Sequence, residues 1–301
     1  MRDLPLALTA ALIGKISGVP VLLDMAENYP DMLRDIWSSD QFSYGNLVVR
    51  NPYLAELIEA VALKAVNHTF VVVEESKERL IGRGASPARI SVIGNVPVVA
   101  SADGATGLSA EEPDSGHLRL VYVGGLEPLR GLDLLLMSLP DVVARIPEFT
   151  FSIIGDGKWR SSLQHLVQNL GLDKAVTFTG RLSHELALRH VQAADVGIIP
   201  HRVTPFTNTT IPNKLFDYML FGKPVVSSNM MPVQRVIQSV GCGYCYNNSR
   251  DLLISLLELR KVAVRRTLGE NGRRAVVSTY NWKRESMGLI ETVQRLLTRV
   301  A

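Results

Sequence analysis

FSIIGDGKWRSSLQHLVQNLGLDKAVTFTGRLSHELALRHVQAADVGIIP, residues Phe151–Pro200, alternates between two hydrophobic periods. The apolar run Phe149–Ile154 reads as a strand and stops at Gly155-Asp156-Gly157. Trp159–Leu170 then places apolar residues at helical spacing, and Val176–Thr179 returns to a strand. Ser183 is placed to cap a helix that runs to Ala193, and Val196–Pro200 is a further buried strand. Short apolar strands separated by helices of about 10–15 residues make βαβ units, and hence a parallel sheet with helices on both faces.

The same alternation extends in both directions. On the C-terminal side come a polar loop to Ile211, a helix Pro212–Leu220, a strand Pro224–Ser227 and a helix Pro232–Ser239. On the N-terminal side, Leu120–Val123 is a strand, Gly124–Arg130 a loop and Gly131–Ala144 a helix. Nearer the start, a helix capped by Asp3 with Pro5 in its first turn runs to about Ile16 and leads to a strand, Val21–Asp24. Helices at Asp31–Trp37, Pro52–Val66 and Glu75–Gly82 follow, with strands at Thr69–Val73 and Ile90–Ile93. Val98–His117 has no periodicity and is rich in Gly, Ser, Ala, Asp and Glu, which marks it as the linker between two α/β domains. In such sheets ligands bind outside the carboxyl ends of the strands, and the cleft between two domains is the default site.

Composition narrows the function. The chain has 301 residues, 47% hydrophobic and 20% charged, which excludes a disordered or fibrous protein. Its 32 basic and 29 acidic residues leave a formal charge of +3, too small to imply nucleic acid but compatible with an anionic substrate or membrane surface. Two cysteines exclude a disulfide framework, and a reducing cytoplasm is the simplest setting. The most apolar stretch, Leu4–Leu23, is broken by Gly14, Lys15, Gly18 and Pro20, so it reads as a buried helix and strand and not as a membrane span.

Four places carry candidate chemistry. Val123–Gly131 (VGGLEPLRG) links a strand to a helix. Gly124 and Gly125 let backbone approach a ligand there, and Arg130 can grip a phosphate with two nitrogens. It lacks the GxGxxG dinucleotide fingerprint. In Thr207–Val226, the residues Thr210, Asn213 and Lys214 fall at the expected helix N-terminus, where an anion binds, and the Asp217 carboxylate one turn on can accept two ribose hydroxyls. Thr209 or Thr210 could equally serve as a cap. Glu27 and Asn28 follow the first strand, where an acceptor-side base would sit, although Asn28 also suits a turn before Tyr29-Pro30. His201 closes another strand. The remaining histidines show no metal spacing, no Asp-x-Asp is present, and Cys242–Cys245 is a lone CxxC in a strand-like stretch, which reads as packing. The basic run Arg260, Lys261, Arg265, Arg266, Arg273 and Arg274 reads as a solvated helix face, with a weak hold on anionic lipid as the sharper alternative.

Together these segments resemble the family 4 retaining glycosyltransferases. ISVIGNVPV looks like the close of that family's first domain, and LVYVGGLEPLRGLDLLL like the opening of its second. The middle of the second domain is matched by residues 151–200, and NKLFDYMLFGKPVVSS resembles the helix carrying the donor-binding acid. GCGYCYNNSRDLLISLLEL looks like the closing strand and helix, and RDLPLAL and DMAENYP are similar to the first domain's second half. The resemblance implies an α/β fold of the GT-B type, two Rossmann-like domains with parallel sheets facing across a cleft. The domains would span residues 1–105 and 117–281, with a last helix, about 282–301, packing back on the first.

It also implies sugar transfer, with retention, from a nucleoside diphosphate-sugar to a hydroxyl acceptor, without a metal or other cofactor. Surface polysaccharide or glycolipid assembly, and a cytoplasmic chain peripheral on the inner face of the membrane, are the settings it suggests. By the same resemblance Gly124, Gly125 and Arg130 face the diphosphate, and Gly180, Arg181 and Leu182 lie against the base. Asp217 holds the ribose, Asn213 and Lys214 lie near the phosphates or sugar, and Glu27 and Arg130 are the catalytic candidates. Several positions depart from the family pattern. Thr209 stands where a second acid is frequent, Gly125 where an arginine is, Arg130 where a lysine is, and Ala26 where a histidine is frequent. The first domain, at about 100 residues, is expected to be partial, with two or three βα units or a partner chain needed to complete it. Two other readings remain open: a non-catalytic nucleotide-binding remnant or partner subunit, and a GT-B sugar-nucleotide epimerase.

Overall fold

The computed structural model describes residues 4–39, 50–99 and 116–298. The Asp3 cap and most of the linker lie outside the described residues. The chain divides into two compact units.

The first unit comprises residues 1–96, 204–211 and 282–301. Its described elements are α1 (Leu4–Ser17), β1 (Leu22–Met25), α2 (Tyr29–Ser39), α3 (Pro52–Ala65), β2 (His68–Val71), α4 (Glu74–Gly82) and β3 (Ile90–Val92), together with a C-terminal helix Trp282–Leu297. The strands form a parallel sheet in the order β1-β2-β3, with Leu22 opposite His68 and Thr69 opposite Ile90. β2 is buried at all four positions, as a strand covered on both faces must be. Asn51 starts α3 by accepting from the amides of Tyr53 and Leu54, with Pro52 in the first turn, where its missing N–H costs nothing. Leu23, Ala62, Val71 and Leu80 fill the core. The expected loop Met25–Pro30 is shorter than its sequence suggests. α2 begins at Tyr29 because Asn28 Oδ1 accepts from the Asp31 amide, as a capping residue does. Segment 204–211, expected in the second domain, belongs to this unit, and so does the C-terminal helix, whose Glu285 accepts from the Gly94 amide at 2.7 Å.

The second unit comprises residues 97–203 and 212–281. Its elements are β4 (Leu118–Val123), α5 (Leu132–Arg145), β5 (Phe149–Ile154), α6 (Arg160–Asn169), β6 (Val176–Gly180), α7 (His184–Ala193), β7 (Val196–Ile199), α8 (Lys214–Leu220), β8 (Val225–Ser228), α9 (Met231–Val240), β9 (Gly243–Tyr246), α10 (Ser249–Glu258) and α11 (Val262–Ser278). Six parallel strands run in the order β6-β5-β4-β7-β8-β9, so the order reverses between β4 and β7. That reversal is the point at which open α/β sheets bind ligands. Leu118, Leu120, Leu135, Leu139, Phe151 and Val196 are among the side chains packed between sheet and helices. Of the basic run on α10 and α11, Arg265 caps the end of α10 through the Leu259 and Arg260 carbonyls and Lys261 pairs with Glu258, so it is not a uniformly free cationic face. Among the described residues no helix is long and apolar enough to cross a membrane.

Candidate active site

Two turns meet where the strand order reverses. β4 ends in Gly124 and Gly125, and a 3₁₀ turn, Pro128–Arg130, then leads through Gly131 into α5. Gly131 is left-handed (φ 64°), and a Cβ there would lie 2.1 Å from the Pro200 carbonyl at the end of β7. Only glycine allows this turn to press against that strand end. Arg202 holds the turn from the other side, donating to the Pro128 and Asp133 oxygens while its amide donates to Leu129.

The result is a compact cationic cluster. Arg130 Nη1 lies 2.8 Å from His201 Nε2. Arginine stays protonated, so it donates and the His201 Nε2 accepts, which leaves the proton of a neutral imidazole on Nδ1. That Nδ1 is buried with no partner among the described residues. Burial, and next the charges of Lys214 and Arg130, hold the His201 pKa well below the ordinary value. The Ser228 hydroxyl donates to the His201 carbonyl at 2.6 Å, which fixes the strand end.

Lys214 is the most informative residue of the site. Its ammonium is buried, lies 3.9 Å from the centre of the Tyr122 ring and has no hydrogen-bond partner among the described residues. A Cβ on Gly124 would sit 2.6 Å from that nitrogen, so the glycine is what lets the backbone pass the ammonium. Burial, and then Arg130, push the Lys214 pKa well below the usual lysine range, with Asp217 opposing. The Tyr122 hydroxyl donates to the Gly125 carbonyl at 2.7 Å, and the Val123 amide donates to the Tyr218 hydroxyl at 3.1 Å. Asp217 is partly buried, and burial raises its carboxyl pKa. A buried ammonium and a half-buried guanidinium thus share this corner, and no described carboxylate bonds either.

The turns after the neighbouring strands continue the row. A Cβ on Gly155 would lie 1.9 Å from the Gly124 carbonyl, and the Gly155 amide donates to the Gly180 carbonyl at 2.9 Å. Gly180 is left-handed (φ 76°), with the Arg160 guanidinium beside it, and is followed by exposed Arg181 and half-buried Leu182. The structure therefore brings Gly124, Gly125, Arg130, Lys214 and Gly180 along one rim of the sheet, and adds His201 and Tyr122 as close neighbours.

Three expectations change. The helix expected from Pro212 begins at Lys214 and has only seven residues. Asn213 is exposed, with helical backbone angles and no capping bond. What Lys214 brings to this corner is its ammonium, since the helix start carries no capping bond. Thr209 and Thr210 do not cap the helix. Thr209 lies in a 3₁₀ turn, Thr207–Thr209, of the first unit, where its hydroxyl accepts from Asn28 Nδ2 at 3.1 Å and donates toward the Phe206 carbonyl at 2.9 Å. Thr210 is half-buried in the same unit. Asn28 also donates to Asp31 Oδ2 at 2.6 Å, so its side chain is engaged in holding α2 and segment 204–211. Glu27 is exposed beside a shallow apolar depression that includes Leu4, Met25 and Tyr29, and no described residue bonds its carboxylate. Among the described residues no three His, Cys, Asp or Glu side chains converge as metal ligands. The burial of Lys214 was hidden in the sequence. Its nearest sequence signal is the apolar run Leu215-Phe216 beside it, which turns the helix start inward.

Residues 117–261 match the model of the family described as glycosyl transferases group 1. That segment is similar to a group 1 glycosyltransferase domain. The chain is 23% identical over 237 residues to a D-inositol 3-phosphate glycosyltransferase of Rhodococcus jostii, covering 73% of this chain and 50% of that one. The matches to curated relatives span about half of their length or less. Among solved structures the chain is similar to sucrose-phosphate synthase of Thermosynechococcus elongatus, with a TM-score of 0.75 and 19% identity over 99% of this chain and 73% of that one. It is also similar to the Anabaena protein HepE, solved with UDP, with a TM-score of 0.73 and 18% identity over 97% of this chain and 77% of that one. At such identities the likeness carries the fold, which is GT-B.

Proposed function

We propose that the protein transfers a sugar, with retention, from a nucleoside diphosphate-sugar to a hydroxyl acceptor of a surface polysaccharide or glycolipid. The observation that carries this reading is the unpartnered Lys214 ammonium beside Arg130 and Gly124. A diphosphate laid on the Gly124 turn would satisfy both cations. As the sugar–phosphate bond breaks, negative charge grows on the leaving diphosphate, and cations already fixed in a dry corner stabilise it without reorganising. That supplies the charge a metal ion supplies elsewhere, so the reaction is proposed to need no metal or other cofactor. The nucleoside would extend along the rim, its base by Gly180, Arg181 and Leu182, with Asp217 accepting from the ribose hydroxyls. Asn213 would lie near the phosphates or sugar. The name of the Rhodococcus relative supports sugar transfer, and the UDP held by the Anabaena protein supports a nucleotide-linked donor.

Calorimetry with UDP and GDP in the presence of a chelator tests the donor site. Binding by the parent, and weaker nucleoside binding by Asp217→Asn even without phosphate, is the expected result. No binding of either nucleotide, or binding only with magnesium, refutes it. Retention is read from the anomeric proton of the product.

A second reading, a donor-binding subunit without turnover, is favoured by one observation. Glu27, the acceptor-side candidate, is exposed with no described partner to orient it. Nucleotide binding without transfer, across a panel of lipid and sugar acceptors, would select that reading.

A further inference from the structure

We propose that the base of the donor is guanine, and that Arg160 is the residue that selects it. This rests on the donor reading above, in which the base lies by Gly180, and adds to it which base is held and by which side chain.

The start of α6 is tied to the rim of the sheet. The Trp159 amide donates to the Leu126 carbonyl, in the turn after β4, at 3.0 Å. The Leu126 amide donates to the Asp156 carbonyl, in the turn after β5, at 3.1 Å, and the Arg160 amide donates to the Gly157 carbonyl at 3.1 Å. The Trp159 side chain packs against the core of the unit. These contacts fix the Arg160 backbone where the two turns meet, and its side chain reaches Gly180 at the end of β6. Its Nη1 and Nη2 lie 3.2 and 3.6 Å from the point where a Cβ on Gly180 would stand. Gly180 is left-handed and has no Cβ, so the guanidinium rests close against the backbone there.

The guanidinium arrives with donors to spare. Arg119 and Arg202 of the same unit are held by the fold. Arg119 grips Asp195 through Nε and Nη2 at 3.0 and 3.2 Å, and Arg202 holds Asp133 and the Pro128 carbonyl. Half-buried Arg160 makes one bond among the described residues, a long one of 3.4 Å to the exposed Asp156 carboxylate. An exposed pair of this kind contributes little and is screened by salt, so the fork can turn to a ligand at small cost.

The chemistry of the fork then picks the base. A guanidinium presents five N–H donors in one plane and no acceptor. Guanine carries two acceptors side by side, O6 and N7, which take two bonds from one guanidinium. Adenine sets an amino group beside its N7 and meets the fork donor to donor. Uracil has a single oxygen, O4, on that edge.

The test is calorimetry of the full chain with GDP, UDP and ADP in the presence of a chelator. The variants are Arg160→Gln, Arg160→Lys and a control, Arg189→Gln, whose side chain pairs with Glu185 on α7. The parent is expected to bind GDP about tenfold more tightly than UDP or ADP, within the discrimination that one bidentate contact gives. Arg160→Gln should erase that preference by lowering GDP affinity alone. Arg160→Lys should do the same, because an ammonium keeps the charge and loses the fork. The control should keep the preference. A parent that binds UDP or ADP as tightly as GDP overturns the proposal and leaves the donor reading standing. So does an equal loss for all three nucleotides in Arg160→Gln, because the arginine then acts on the diphosphate. If none of the three binds, the donor reading fails and the choice of base falls with it.

Discussion

Glu59 in the first unit is 1% exposed and receives both terminal nitrogens of Arg79 at 2.8 Å, with Arg83 adding a third bond. The Lys214 ammonium in the second unit is equally hidden and donates to no described residue. Both are buried charges in parallel α/β units, yet only the first is matched from within its own chain. A buried ion costs several kcal/mol unless paired. A pair completed inside the unit holds the fold, whereas an unmatched ion beside a strand's carboxyl end is a standing cost that the proposed diphosphate would offset. The state of the charge thus separates scaffold from site where residue type alone does not.

The largest test breaks the matched pair. Glu59→Ala should destabilise the first unit by about 3–5 kcal/mol, because the Arg79 guanidinium loses its buried partner, while Arg83 keeps Glu56. Urea unfolding measures this, and nucleotide binding in the second unit should persist. A loss under about 1 kcal/mol would show that the pair is not a scaffold element.

The next test removes the unmatched charge. Lys214→Met should weaken UDP or GDP binding by about 1.5–3 kcal/mol while leaving the thermal midpoint unchanged or raised. Arg130→Ala should weaken binding by a similar amount but without a gain in stability, since it strips the His201 Nε2 of its donor. If Lys214→Met unfolds the protein, the contrast with Glu59 fails.

Much of this architecture was legible beforehand, and the illegible part has a common cause. Phe149–Ile154 is a strand in both sequence and structure, because central parallel strands are plain apolar runs and the Gly155 turn ends this one abruptly. Ser183 caps α7 through the Leu186 amide as its position implies. Gly124 and Arg130 were legible as parts of a strand-to-helix turn. Lys214 was legible only as a cation near a helix start, since nothing local announces that Tyr122 and Gly124 will close over it. Thr209 misled for a similar reason. Its partner Asn28 is 181 positions away, and no local pattern records so distant a contact.

A finer test uses protons. Burial holds both His201 and Lys214 below their ordinary values, so wherever an unfolded side chain would be charged, the unfolded state binds more protons than the folded one. Stability of the second unit should therefore fall as the pH drops through about 6.5, where an unfolded histidine takes up its proton. A bound diphosphate favours the charged ammonium and reverses the sense, so binding should draw protons from solution. Calorimetry in two buffers of different ionisation heat measures that uptake, and proton release would contradict the buried, unmatched lysine.

The smallest expected effect concerns the two thiols. Burial pushes Cys242 up to about 12 and Cys245 up to about 11, so both remain neutral and slow to react near neutral pH. Cys245→Ala should leave nucleotide affinity within error, and bound zinc in the parent would contradict a packing role for this pair.

The first unit is stitched from three separate lengths of chain, and its clasps join residues 181 and 191 positions apart. On a ribosome that emits the chain from its amino end, this unit cannot close until its last helix emerges. The second unit is complete by residue 281 and can settle first. The first unit therefore waits for its final helix, and the Gly94 amide stays without its Glu285 partner until residues 282–297 emerge.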